Sequence, residues 1–230
     1  MNKRVFQNVL FTAVVLCLML STCLESSGQS RIKKRKNNPK KTHVLYVPLI
    51  PKATESGYSG DLPVGVQAIY FEVIDERQER DEIGQNIEDS DKPAIKVVAD
   101  DGDGPIDFIR KMMITQFQAI GIRVADKPEA AQRVVTLKLT RFWAEEAPSY
   151  HGTVAAAVEV KDGSRSLWLG ASAGESKRFG RSLSTDNYRE TLSDATVHMI
   201  NKILEQQGFR GAIGKRSEAV SHFHIYTVAE

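Results

Sequence analysis

Two stretches of this chain carry apolar side chains at helical spacing on one side only. Ile106, Ile109, Met113, Phe117 and Ile120 form one row, and Tyr188, Leu192, Ala195, Met199 and Ile203 form the other. A helix with a single apolar face needs a surface to bury it, and that requirement narrows the fold more than any other feature. The surface is legible between the two helices. Val134 to Trp143 alternates, with Val135, Leu137 and Leu139 opposite Thr136, Lys138 and Thr140. Tyr150 to Val160 reads as a second strand, Lys161-Asp162-Gly163 as a turn, and Arg165 to about Glu175 as the returning arm of a hairpin. The fold class is α+β: a mixed, mostly antiparallel sheet with two amphipathic helices packed on one face.

The helix ends carry their own signals. Gly104-Pro105 opens the first, with Asp103 and Asp107 near the positive end of its dipole, and Gly121 closes it. Asn187 and Glu190 have capping-box spacing at the start of the second, and Gly208 is read as its stop. Upstream, residues 42–50 form a strand-like run ended by Pro51, residues 52–63 a loop, and Val66 to Ile74 a stronger strand. Residues 75–104 are acidic and glycine-rich, a long loop interrupted by one short strand near Ile95 to Ala99. One domain over residues 42–209 accounts for these elements, followed by a tail, residues 210–230, with room for a short strand.

The first 41 residues belong to no core. Lys3 and Arg4 precede an uncharged apolar run, Val9 to Leu20. At about 1.5 Å per residue this run reaches only ~18 Å as a helix, against a hydrocarbon core of roughly 30 Å. A secretory signal over residues 1–22 fits better than a permanent transmembrane anchor. Leu20-Ser21-Thr22-Cys23 resembles the lipobox of bacterial lipoproteins, in which the cysteine is acylated and becomes the new N-terminus. The other cysteine, Cys17, follows the bulky Leu16 where a small residue is wanted. Acylation of Cys23 makes the bilayer the first partner and leaves the mature chain no thiol for a disulfide. Leu24, rather than Asp, after the cysteine points by enterobacterial sorting rules to the periplasmic leaflet of the outer membrane.

Charge divides what remains. Residues 31–41, RIKKRKNNPKK, hold seven basic side chains and no acid, whereas from Thr42 onward 22 Lys plus Arg face 28 Asp plus Glu. Residues 23–41 therefore read as a lipidated terminus and a basic, disordered linker, first a solvated spacer, second a segment drawn to anionic headgroups, and least a nucleic-acid contact.

Few residues suggest chemistry. Gly170-Ala171-Ser172-Ala173-Gly174 spells G-x-S-x-G, and Asp186, Asp194, His198, His222 and His224 lie downstream in the order a serine hydrolase uses. The polar Glu175-Ser176-Lys177-Arg178 that follows is unsuited to the buried helix of a nucleophile elbow, so close packing of small residues is the favoured reading. Asp100-Asp101-Gly102-Asp103-Gly104 hints at a calcium loop, but Met112 stands where a twelfth-position Glu belongs. His222 and His224 share a strand face and are too few for a closed metal site. Asp75 and Arg77 are read as an ion pair or turn bond. Trp143 and Trp168 fall in strands, as core or sheet-edge residues; an exposed Trp168 would mark a partner surface. No metal or organic cofactor is implied.

The order and spacing of these pieces resemble the YajG family of bacterial lipoproteins over roughly residues 64–207. The matching segments are the strand into Asp75-Glu76-Arg77 with Ile83-Gly84 after it, the helix closing in Ile120-Gly121-Ile122-Arg123-Val124, Ala130 to Trp143, and the Ala-rich strand Val154 to Val160 with its hairpin partner and helix. The resemblance implies an α+β periplasmic domain on a lipid anchor and carries no reaction with it. The expectation is a membrane-anchored, non-enzymatic binding or accessory module that meets a protein or cell-wall partner. The alternatives are an accessory subunit of an envelope transport assembly and a secreted hydrolase using Ser172.

Overall fold

Apolar and small side chains alternate with polar ones through residues 133–178, and this run folds into three long antiparallel strands, β5 (Arg133–Glu146), β6 (Tyr150–Asp162) and β7 (Arg165–Arg178). The remaining elements are β1 (Val44–Val47), β2 (Ile69–Asp75), β3 (Gly84–Asn86), β4 (Ile95–Ala99), α1 (Pro105–Ala119), α2 (Thr185–Glu205) and α3 (Gln207–Ile213). The computed structural model describes residues 43–61, 65, 68–87, 91–100, 102 and 104–214, and all of these fall in one compact unit that begins at Lys41. The signal, Cys17, Cys23, the basic linker and the tail with His222 and His224 lie outside the described residues.

The sheet runs β1-β4-β3-β5-β6-β7, and β2 also pairs with β5. β5 is long enough to take two parallel partners end to end: β2 along Arg133–Leu139 and β3 along Ala144–Glu146. A register shift between Leu139 and Arg141 sits between the two, where the bend of a bulge re-aims the strand. The long β5–β6–β7 ladders are antiparallel, so the sheet is mixed and mostly antiparallel, as expected.

The second long helix buries its expected row in full, and the first buries the middle of its row, with Ile106 and Ile120 half-buried at the two ends. In α1, Ile109, Met113 and Phe117 are fully buried, and Phe108, outside the expected row, stacks edge-on against Phe142 of β5 (5.4 Å). Phe117 meets Phe71 of β2 in the same way (4.8 Å). Pro105 occupies the first turn, and Gly121 ends the helix at φ +82° while Ile122 N–H donates back to the Phe117 carbonyl.

In α2, Tyr188, Leu192, Ala195, Met199 and Ile203 are all fully buried. The helix rests directly on sheet backbone. A Cβ at Gly174 would overlap the Ala195 carbonyl and the Met199 amide, and one at Gly152 would press on Thr191. Along the outermost strand, the alternate carbonyls of Ala171, Ala173 and Glu175 accept from Gln206 Nε2 (3.2 Å), Lys202 Nζ (2.9 Å) and His198 Nδ1 (2.5 Å). These three donors sit four residues apart on the helix, so one row of α2 stands where β7 has no strand neighbour among the described residues.

Three expectations change. Residues 75–104 hold a second short strand, β3, beside the expected β4. The N-cap of α2 is Ser184, whose hydroxyl accepts from Asn187 N–H (3.3 Å); Asn187 turns its amide back to the Arg181 carbonyl, and Glu190 pairs with Lys52 and Arg178. Gly208 ends no structure: α2 breaks at Gln206 and α3 follows at once, burying Phe209, Ala212 and Ile213. The packed body thus continues past residue 209 through Ile213, and Arg133 Nε holds its end by donating to the Ala212 carbonyl (2.9 Å).

Replacing Gly174 by Ala forces helix and strand apart and is expected to cost about 3 kcal/mol in urea unfolding. Gly211→Ala, in open space on α3, is expected to stabilise by up to ~1 kcal/mol.

Candidate functional surface

Ser172 lies in mid-strand and not on a strand-to-helix turn. Its buried hydroxyl donates to the Met199 carbonyl (2.9 Å), as the close-packing reading of the G-x-S-x-G run requires. Asp186, Asp194 and His198, the described members of that downstream set, are engaged elsewhere. Asp186 is exposed and pairs with Arg189 (2.7 Å), and His198 is bound to the Glu175 carbonyl.

Asp194 holds the segment after β1. One carboxylate oxygen accepts from the amides of Thr54 (2.6 Å) and Glu55 (3.1 Å); the other accepts from the Thr54 hydroxyl (2.7 Å) and Arg178 (2.9 Å). Burial pushes this carboxyl up, but those bonds together outweigh it and hold it below the usual carboxylate range. Asp75 and Arg77 form a two-pronged ion pair (2.9 Å on each oxygen), and Arg77 also donates to the carbonyls of Arg80 and Glu82, bracing the loop between β2 and β3. There too burial raises the carboxyl and the Arg77 bonds more than offset it.

Met112 is a core residue, and Asp101 and Asp103 lie outside the described residues. Among the described residues no three His, Cys, Asp or Glu side chains converge as metal ligands, and no helix is long and apolar enough to cross a membrane. Trp143 is half-buried under the Arg141 guanidinium (4.9 Å). Trp168 is half-buried against Phe209 (5.5 Å) and so is not an exposed partner residue.

The arrangement that sequence reasoning missed stands where β3 and β5 end and β6 begins. Glu146 is 1 % exposed. Both its oxygens accept from Leu183 N–H (3.2 Å each), and one also accepts from Tyr188 Oη (3.1 Å). Tyr188 stacks edge-on against Tyr150 (4.9 Å), whose hydroxyl donates to the Arg181 carbonyl (2.6 Å) and accepts from Ser184 N–H (3.0 Å). Burial, then the Glu146 charge, pushes the Tyr188 phenol far above its ordinary value; burial also raises Tyr150. Both hydroxyls therefore stay protonated donors.

This buried acid and tyrosine pair fix the loop of residues 179–184 in an unusual shape. Leu183 has φ +54°, the only positive value of a non-glycine residue among those described. A leucine pays steric strain for that conformation unless its surroundings hold it. What the loop displays is apolar: Phe179 is 76 % exposed and Leu183 41 %, with Ile87, whose N–H donates to the Glu146 carbonyl, at 38 % nearby. In sequence, Glu145-Glu146 looks like a solvated strand end, and no local pattern announces that the second acid is buried.

No family model and no curated protein matches the chain. Solved structures are similar in fold. A DUF330-family protein from Xanthomonas campestris superposes with a TM-score of 0.51 at 12 % identity, over 73 % of this chain and 96 % of that one. The PelC dodecamer protein from Paraburkholderia phytofirmans gives 0.38 at 13 % identity, over 66 % and 92 %. The first likeness shows a shared fold and nothing of activity.

Two outcomes are expected from this geometry. Asp194 and Asp75, held low in the folded state, contribute their stability in full above about pH 4 and lose it as pH falls through their folded values. Urea unfolding followed from about pH 6 down to about pH 3 is expected to show that decline, with a shallower slope in Asp194→Asn. Glu146→Ala strands the Leu183 amide and leaves the Tyr188 hydroxyl only the Gln85 carbonyl (3.3 Å) to donate to, an expected loss of about 2 kcal/mol in the same measurement.

Proposed function

We propose that this chain is a lipid-anchored protein of the bacterial envelope, allied to the YajG lipoproteins, whose folded body is a non-enzymatic binding or accessory module. The observation that carries the reading is Cys23, placed directly after Leu20-Ser21-Thr22 at the end of a signal-like apolar run. Two or three acyl chains, each buried methylene contributing about 0.8 kcal/mol, hold such a protein at a bilayer without a spanning helix. The residues that follow, basic and almost free of apolar side chains, suit a spacer between bilayer and body.

Support for a binding rather than catalytic role comes from how the reactive side chains are used. Ser172 anchors a helix, Asp194 clamps a loop, and His198 closes a strand edge. The hydrolase alternative would need each of them released. The reading as an accessory subunit of a transport assembly differs in partner and not in the body's chemistry; co-purification with membrane-spanning components distinguishes it.

Metabolic labelling with a fatty-acid analogue tests the anchor. Wild type is expected to incorporate label and Cys23→Ala to lose it entirely. An unmodified Cys23 thiol, or a chain that retains Met1 in the intact mass, would overturn the proposal.

A further inference from the structure

We propose that the end of the sheet carrying Phe179, Leu183 and Ile87 lies against the bilayer that holds the acylated N-terminus, so that the body is docked on the lipid surface as well as tethered to it. This rests on the anchoring of Cys23 proposed above.

Three observations converge. The first is construction. A buried carboxylate and two buried tyrosines are assembled around a loop whose outward face is apolar, and Leu183 is held in a left-handed conformation with its side chain substantially exposed. Strain that the surroundings maintain at an exposed apolar residue points to a use for that residue.

The second is chemistry. Phe179 carries the Lys177 ammonium over its ring (5.3 Å), and the exposed Arg181 follows two residues later. An aromatic ring flanked by cations suits the boundary between acyl chains and anionic headgroups, where ring and charge are both satisfied. Asp186, the acid that follows the loop in α2, is paired with Arg189.

The third is where the folded body begins. β1 begins at Val44, which lies in register with Lys96; Ile95 beside it faces Asn86, and Asn86 faces Glu146. The tether therefore joins the body at the same end of the sheet as the apolar loop. The 19 residues from Leu24 to Thr42 span at most about 65 Å even when fully extended, and seven of them between residues 31 and 41 are basic. An anchor so close gives a high effective concentration of membrane, so a modest contact suffices to orient the body.

In the processed, acylated chain a cysteine placed at Phe179 is the sole free thiol. The processed, acylated Phe179→Cys and Ser164→Cys proteins, each labelled with an environment-sensitive fluorophore, are reconstituted on phosphatidylethanolamine–phosphatidylglycerol vesicles. Ser164 is the control, in the turn at the opposite end of β6 and β7, about 45 Å away along the strands. The expected result is blue-shifted emission at position 179, quenched by chain-brominated lipid, and water-like emission at 164. Water-like, unquenched emission at both positions, in protein that still floats with the vesicles, overturns the docking while leaving the anchor intact. Protein that fails to float overturns the anchor and the docking with it.

Discussion

The structure depends on one contact, the seating of α2 directly on the backbone of β6 and β7. Gly152 and Gly174 remove the side chains that would stand between helix and sheet, and Ser172 offers a hydroxyl small enough to fit and able to bond the Met199 carbonyl. With the helix this low, Tyr188, Leu192, Ala195, Met199 and Ile203 reach the core, and α3 is brought down so that Phe209 packs between Trp168 and Phe117. A larger side chain on the strand would leave a layer of unfilled space beneath the whole helix, because interiors tolerate few voids.

The same helix organises the polar interactions at its margins. Its N-terminal half presents Asp194 and Glu190 to the segment after β1, so the first strand is tied to a helix some 140 residues later in the chain. Its first turn presents Tyr188 to Glu146 and thereby shapes the loop that precedes it. Closeness to the sheet is what permits both, since carboxylate and phenol reach their partners only from a helix lying low. Buried charges cost much when unpaired, and each here is given several donors.

Much of this was legible in sequence where a pattern repeats. The apolar rows of α1 and α2, the alternation of β5 and the hairpin turn at Gly163 all rest on periodicity or on one glycine with φ +58°. The short β4 stood out as an apolar run in acidic surroundings. β3 did not, because Gly84-Gln85-Asn86 has neither alternation nor β-branched residues and becomes a strand only by filling the place beside β5. Asn187 offers a capping spacing in sequence that rivals Ser184, and the difference is made by the local bond of the Asn187 amide to the Arg181 carbonyl, which takes that side chain out of the cap. α3 was hidden by Gly208, whose missing side chain serves the Trp168 ring beside it. The Glu146 cluster draws on residues far apart in the chain, which no local window joins.

The two rims of the sheet are unequal. Side chains of α2 occupy the carbonyls along β7, whereas β1, with Val44 and Tyr46 turned outward, pairs on one side only among the described residues. The β7 rim, with these carbonyls taken, is closed to a foreign strand, whereas the β1 rim offers its backbone groups to one. Two copies joined edge to edge through β1 would each bury that rim, and their β7 rims, occupied by α2 side chains, would not extend the joined sheet.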